Sequence, residues 1–66
     1  MRIERARLVW PGSRELTEEE IRELEQMIDL GDARVAVQTM PYHPWATHCV
    51  GDWRTERTWM VKAAEE

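Results

Sequence analysis

Phenylalanine is missing from this 66-residue chain, and cysteine and tyrosine occur once each. A single cysteine excludes an internal disulfide, so a small core has to hold without that staple. The three glycines are scattered, which excludes a glycine-rich phosphate loop. No apolar run approaches the ~20 residues that a membrane-spanning helix needs, and no charged-then-apolar leader is expected at the start. A lone thiol without a leader gives a cytoplasmic, reducing setting as the expectation. Paired metal ligands at short spacing, such as C-x-x-C or H-x-x-x-H, are also missing. The formal net charge of −4 argues against a generic, sequence-blind nucleic-acid binder, because that mode works by neutralising phosphates.

What the chain does have is one sharply bounded acidic segment, TEEEIRELEQMIDLG, between Thr17 and Gly31. Thr17 followed three residues later by Glu20 fits a capping box, and Leu16 with Ile21 suits a hydrophobic staple. Glu18, Glu19 and Glu20 occupy the first turn, where the positive end of the helix dipole favours carboxylates. Gly31 supplies the left-handed residue that closes many helices. At roughly 100° per residue, Ile21, Leu24, Met27 and Ile28 share an arc of about 120°. That arc packs. Glu18, Glu19, Glu23, Glu25 and Asp29 fall on the other side.

The charge is unevenly placed. Residues 15–32 hold eight carboxylates against one arginine, residues 1–14 carry a net +3, and residues 33–66 balance. A field concentrated on one element can steer a cationic partner, although a charged helix face is more often simply solvated.

Residues 2–10 alternate imperfectly and read as a strand ending at Pro11-Gly12. Ala6, Leu8 and Trp10 are expected on one side of it, and Ile3, Arg5, Arg7 and Val9 on the other. Residues 33–40, rich in β-branched side chains, read as a second strand with Val35 and Val37 inward. Pro41-Tyr42-His43-Pro44 is a loop. Residues 45–50 and 53–62 read as a hairpin around a Gly51-Asp52 turn, which pairs Val50 with Trp53 and His48 with Thr55. That register puts Trp53, Trp59 and Val61 on the face of Val50, His48 and Ala46, and Cys49, Arg54 and Met60 on the other. The tail 63–66 is expected to fray. The expected fold is α+β: a small single domain of β-α-β-β-β order, its antiparallel sheet packed on one face by one amphipathic helix at about 17–30.

Four tryptophans are many for this length. Each suits a core position, and tryptophan is also common at binding hot spots. At least one of them, Trp45 in its loop or Trp10 at a strand end, is expected to remain partly exposed.

His43, His48, Cys49 and Asp52 form the one cluster of metal-ligand types, but the expected hairpin sends His48 and Cys49 to opposite faces. Cys49 as a nucleophile lacks a placed base and orienting group. Arg2, Arg5, Arg7 and Arg14 beside Trp10 are the candidates for phosphate and base contacts, against the plainer expectation that Glu4 or the acidic helix neutralises them.

The leading expectation is a non-enzymatic protein-protein interaction module without a cofactor. It would dock Glu18, Glu19, Glu23, Glu25 and Asp29 on a basic partner surface, with Trp45 or Trp10 as anchor. By analogy of size and charge, it fits a phage or mobile-element inhibitor or accessory subunit acting on a nucleic-acid-handling complex. Two alternatives stay open: a nucleic-acid binder using Arg5, Arg7 and Arg14 with Trp10, and a metal-binding or hydrolytic protein using His43, His48 and Cys49. Pairing of two copies through sheet edges or faces is compatible with all three.

Overall fold

A computed structural model describes residues 1–64. The chain runs β1 (Ile3–Trp10), β2 (Arg14–Glu15), α1 (Glu18–Asp29), β3 (Val35–Thr39), β4 (His48–Asp52) and β5 (Arg57–Ala63). The strands form one antiparallel sheet in the order β2-β1-β5-β4-β3, with α1 across one face. The α+β architecture is the expected one, with an additional two-residue strand between β1 and the helix. No helix among the described residues is long and apolar enough to cross a membrane.

Helix α1 begins as its sequence dictates. The Thr17 hydroxyl accepts the Glu20 N–H at 3.3 Å, and the Glu20 carboxylate accepts the Thr17 N–H at 3.1 Å. At the other end Gly31, with φ of 69°, turns the chain out while its N–H donates to the Ile28 carbonyl at 3.1 Å. Leu24 is buried, and Ile21, Met27 and Ile28 pack around it against the sheet. The sheet supplies Ile3, Ala6, Leu8, Val50, Trp59 and Val61 to that core.

Strict alternation fails in β1, and the pairing with β5 shows why. Ile3 pairs with Ala63 and Arg5 with Lys62, so Glu4 is an extra residue; Leu8 pairs with Trp59 and Trp10 with Thr58, so Val9 is another. Each extra residue resets the side-chain parity, as a bulge does. Ile3 therefore joins Ala6 and Leu8 in the core, contrary to the expected grouping. Trp10 is turned to the helix-free face with Thr58 and is 63% exposed.

The β4–β5 hairpin also differs from expectation. Gly51 and Asp52 belong to β4, and residues 53–56 make the connection. Val50 pairs with Trp59 and His48 with Val61. The cause is Asp52, whose buried carboxylate accepts the Arg54 N–H at 2.9 Å and the Thr55 hydroxyl at 3.0 Å. An aspartate that satisfies the backbone two residues on is a turn former in its own right. Trp53, expected beside Trp59, consequently sits in the turn and is 74% exposed. Val35 packs against the core as expected, whereas Val37 at the sheet edge remains 39% exposed. At the chain's end Ala63 closes β5, and the Ala64 N–H donates to the Arg2 carbonyl at 2.9 Å. The remainder of the expected tail, Glu65 and Glu66, lies outside the described residues.

Candidate functional site

The sheet divides the surface in two. On one side lies the outer surface of α1, and on the other the helix-free face of the sheet, with Arg5, Arg7, Met60, Lys62, Cys49, Gln38, Thr58, Gly51 and Ala36 by register.

On α1, Glu18, Glu19 and Glu23 are exposed, and none of the ion pairs among the described residues includes them. Glu25 and Asp29 point along one flank towards the start of β1. Glu25 accepts the Ile3 N–H at 2.8 Å, and Asp29 pairs with the Met1 amino group. Glu20 turns towards β2 and holds the Arg14 guanidinium through both oxygens, at 2.8 and 2.6 Å. That bidentate pair, with the Thr17 N–H, pulls the Glu20 carboxyl from 4.5 to about 2.

The arginines singled out for nucleic acid are engaged close to home. Arg5 and Arg7 both reach Glu15 across the β1–β2 pairing, at 2.6 and 3.3 Å. Hydrogen bonding from Arg5, above all, keeps the Glu15 carboxyl below the usual carboxylate range. The expected counter-ions were Glu4 and the helix. Glu4 instead pairs with Lys62 at 3.4 Å, and among the described residues Arg14 is the one arginine that pairs with the helix. Glu15 went unnoticed because a two-residue strand has no periodicity to read.

The loop between β3 and β4 folds over the helix-free face. Its Trp45 ring lies under the Arg5 guanidinium, 4.3 Å from Cζ to the ring centre. Trp45 is half-buried, with one face of its ring covered by Arg5. His43 Nδ1 accepts the N–H groups of Trp45 and Ala46 at 3.3 and 3.0 Å, and its ring meets Trp45 edge-on at 5.4 Å. His48 Nδ1 contacts the Thr47 hydroxyl at 2.8 Å. His48 and Cys49 lie on opposite faces of β4. Among the described residues no three His, Cys, Asp or Glu side chains gather as a metal would require.

Sequence reasoning missed a groove of about 400 Å³ on the helix-free face. Ala36, Gly51 and Thr58 make its floor and Trp53 one wall. A glycine inside a strand signals room above the backbone, and Gly51 carried that signal. The exposed indoles of Trp10 and Trp53 thus belong to the face away from the helix, and the sheet separates them from Glu18, Glu19 and Glu23.

No protein-family model, no curated protein and no solved structure matches the chain.

Proposed function

We propose that the protein is a non-enzymatic interaction module that docks the exposed carboxylates of α1 on a basic surface of a protein partner. One observation carries this reading: Glu18, Glu19 and Glu23 stand unpaired among the described residues, while Arg5, Arg7 and Arg14 are held by Glu15 and Glu20. Unpaired surface charge keeps its long-range field, whereas a closed ion pair loses most of it to its neighbour. The docking face is then Glu18, Glu19 and Glu23, with Asp29 on its margin.

The indoles of Trp10 and Trp53 lie across the sheet and form no part of this interface. Within this reading a partner that handles nucleic acid is the natural kind, because such surfaces are basic and an acidic helix imitates their phosphate ligand. An inhibitor or accessory subunit acts in that way, in the cytoplasm that the lone Cys49 thiol suits. A pair of copies would present two such faces and gain avidity.

The nucleic-acid reading has less support, since its arginines would have to leave Glu15 and Glu20 to meet phosphates. The hydrolytic or metal reading has less still, because His43 and His48 each spend Nδ1 on a local hydrogen bond and no cluster of ligand side chains forms around them among the described residues. The test is capture of the partner from its native cell on the wild-type protein and on Glu19→Lys/Glu23→Lys. Loss of the partner from the variant supports the proposal; equal capture at low salt removes it.

A further inference from the structure

The two edges of the sheet are unlike. At one edge β2 has two residues, both charged, Arg14 and Glu15. Short, charged edges are how soluble sheets avoid pairing with other chains. At the other edge β3 offers five residues, VAVQT, without a charge or a proline and without a bulge against β4.

The direction of its hydrogen bonds follows from its two ends. The Arg34 carbonyl accepts the Trp53 N–H at 2.8 Å, and the Met40 N–H donates to the Thr47 carbonyl at 2.9 Å. Successive residues in an antiparallel strand turn their peptide groups to opposite sides. Arg34, Ala36, Gln38 and Met40 therefore address β4, while Val35, Val37 and Thr39 address the outside. The Val35 N–H is already taken by the Asp32 carbonyl at 3.0 Å. What remains outward is the N–H of Val37 and Thr39 and the carbonyls of Val35, Val37 and Thr39.

We infer that this edge pairs with the same edge of a second copy, antiparallel about a two-fold axis at Val37. In that register Val37 exchanges two hydrogen bonds with Val37 of the second copy, and each Thr39 N–H meets the Val35 carbonyl opposite. The Val35 N–H, which would otherwise meet the Thr39 carbonyl opposite, stays with Asp32, so four hydrogen bonds cross the pair and the two Thr39 carbonyls remain open to water. The set is self-complementary, which is what a two-fold interface demands.

Charge permits the approach. The unpaired carboxylates Glu18, Glu19 and Glu23 lie towards the helix start, which follows β2, whereas the helix end leads into β3. The charges flanking β3 are Asp32 and Arg34, which pair with each other at 3.1 Å. Apolar surface is available on both sides of the edge. Val37, 39% exposed and paired with the core residue Val50, lies on the helix side. On the other side, pairing sets Gln38 of the second copy against Ala36, so the groove beneath Trp53 gains a wall from its neighbour. A five-residue strand is a small interface, so dissociation constants on the order of micromolar are expected. None of this depends on the acidic helix face.

The test is sedimentation equilibrium from roughly 1 µM to 1 mM, a range that brackets such an affinity, with amide hydrogen exchange over the same range. The mass should rise from 7.9 kDa towards twice that value. Exchange at Val37 and Thr39 should slow in step, while the Trp53 amide, bonded within the monomer, should not change. Val37→Lys places a charge at the axis and should weaken association at least tenfold. Val37→Pro removes the outward N–H without touching the β4 ladder, and it should do the same. If that variant does not fold, the lysine variant and the exchange pattern decide. A constant 7.9 kDa species, a dimer with unprotected Val37 and Thr39 amides, or a dimer that survives Val37→Lys overturns the inference.

Discussion

Arg5 stacks its guanidinium on the Trp45 ring, 4.3 Å from Cζ to the ring centre, while its NH2 group reaches Glu15 at 2.6 Å. One side chain thereby fastens the β3–β4 loop to β1 and ties β1 to the short edge strand. It also engages with each other two side chains that the sequence singles out for binding, an arginine and an indole. Cation–π contact of this kind is favoured where the ring is partly shielded from water, as this one is.

Replacing that side chain tests the arrangement. Arg5→Leu should release Trp45, seen as faster exchange of its indole N–H and stronger fluorescence quenching. With only Arg7 left beside it, the Glu15 carboxyl should titrate closer to the ordinary glutamate value of 4.5, followed by NMR. An unchanged indole signal would mean that the loop is held by His43 alone.

Asp52 is 2% exposed, and its carboxylate organises the 53–56 turn. Burial pushes this carboxyl up, but the Arg54 N–H, the Thr55 hydroxyl and the Arg54 and Arg57 guanidinium groups outweigh it, and the net shift is down. A depressed carboxyl contributes stability above its unfolded pKa and loses it as pH falls through the folded one. Asp52→Ala should cost roughly 1–3 kcal/mol at pH 7, because it removes the charged acceptor of both hydrogen bonds that hold the 53–56 turn. The deficit relative to wild type should shrink in acid, measured by chemical denaturation at several pH values.

Glu56 adopts φ of 57°, the left-handed region, where a Cβ is crowded. Glu56→Gly should raise stability by about 1 kcal/mol, read as a higher denaturation midpoint with the same slope. A loss of stability would show that the Glu56 side chain makes a contact worth more than the backbone strain.

Glu20 joins the helix cap to Arg14. Its carboxyl lies at about 2 rather than the ordinary 4.5, so its contribution is complete above 4.5 and fades as pH falls towards about 2. Glu20→Gln should be less stable than wild type at neutral pH and converge on it near the acid end of that window. Parallel curves at every pH would remove the ion pair from the account.

The helix was legible to within a residue because its signals are local: the Thr17–Glu20 box, the spacing of Ile21, Leu24, Met27 and Ile28, and Gly31. The strands were legible as segments but not in register. Extra residues at Glu4 and Val9 reset the parity of β1, and nothing in the string RIERARLVW marks them. At the hairpin, Gly51-Asp52 matched a common two-residue turn, yet Asp52 acts through its side chain on Arg54 and Thr55 and moves the turn forward. That shift reassigns Trp53. For the candidate site, the helical spacing puts Glu18, Glu19, Glu23, Glu25 and Asp29 together on the outward side. It could not show that Glu25 and Asp29 reach the start of β1, since those contacts join residues more than twenty apart. The separation of the indoles from the carboxylates by the sheet is likewise a property of the pairing order.

Charge reversal on the helix is the decisive perturbation for the proposed docking face. Its most direct measurement is the affinity of the captured partner for wild type, Glu19→Lys, Glu23→Lys and the double variant, each across a salt series. Binding should be about tenfold weaker for the double variant at low salt, with the difference closing as salt screens the contact. Equal affinities at low salt, with all four proteins folded, would contradict it.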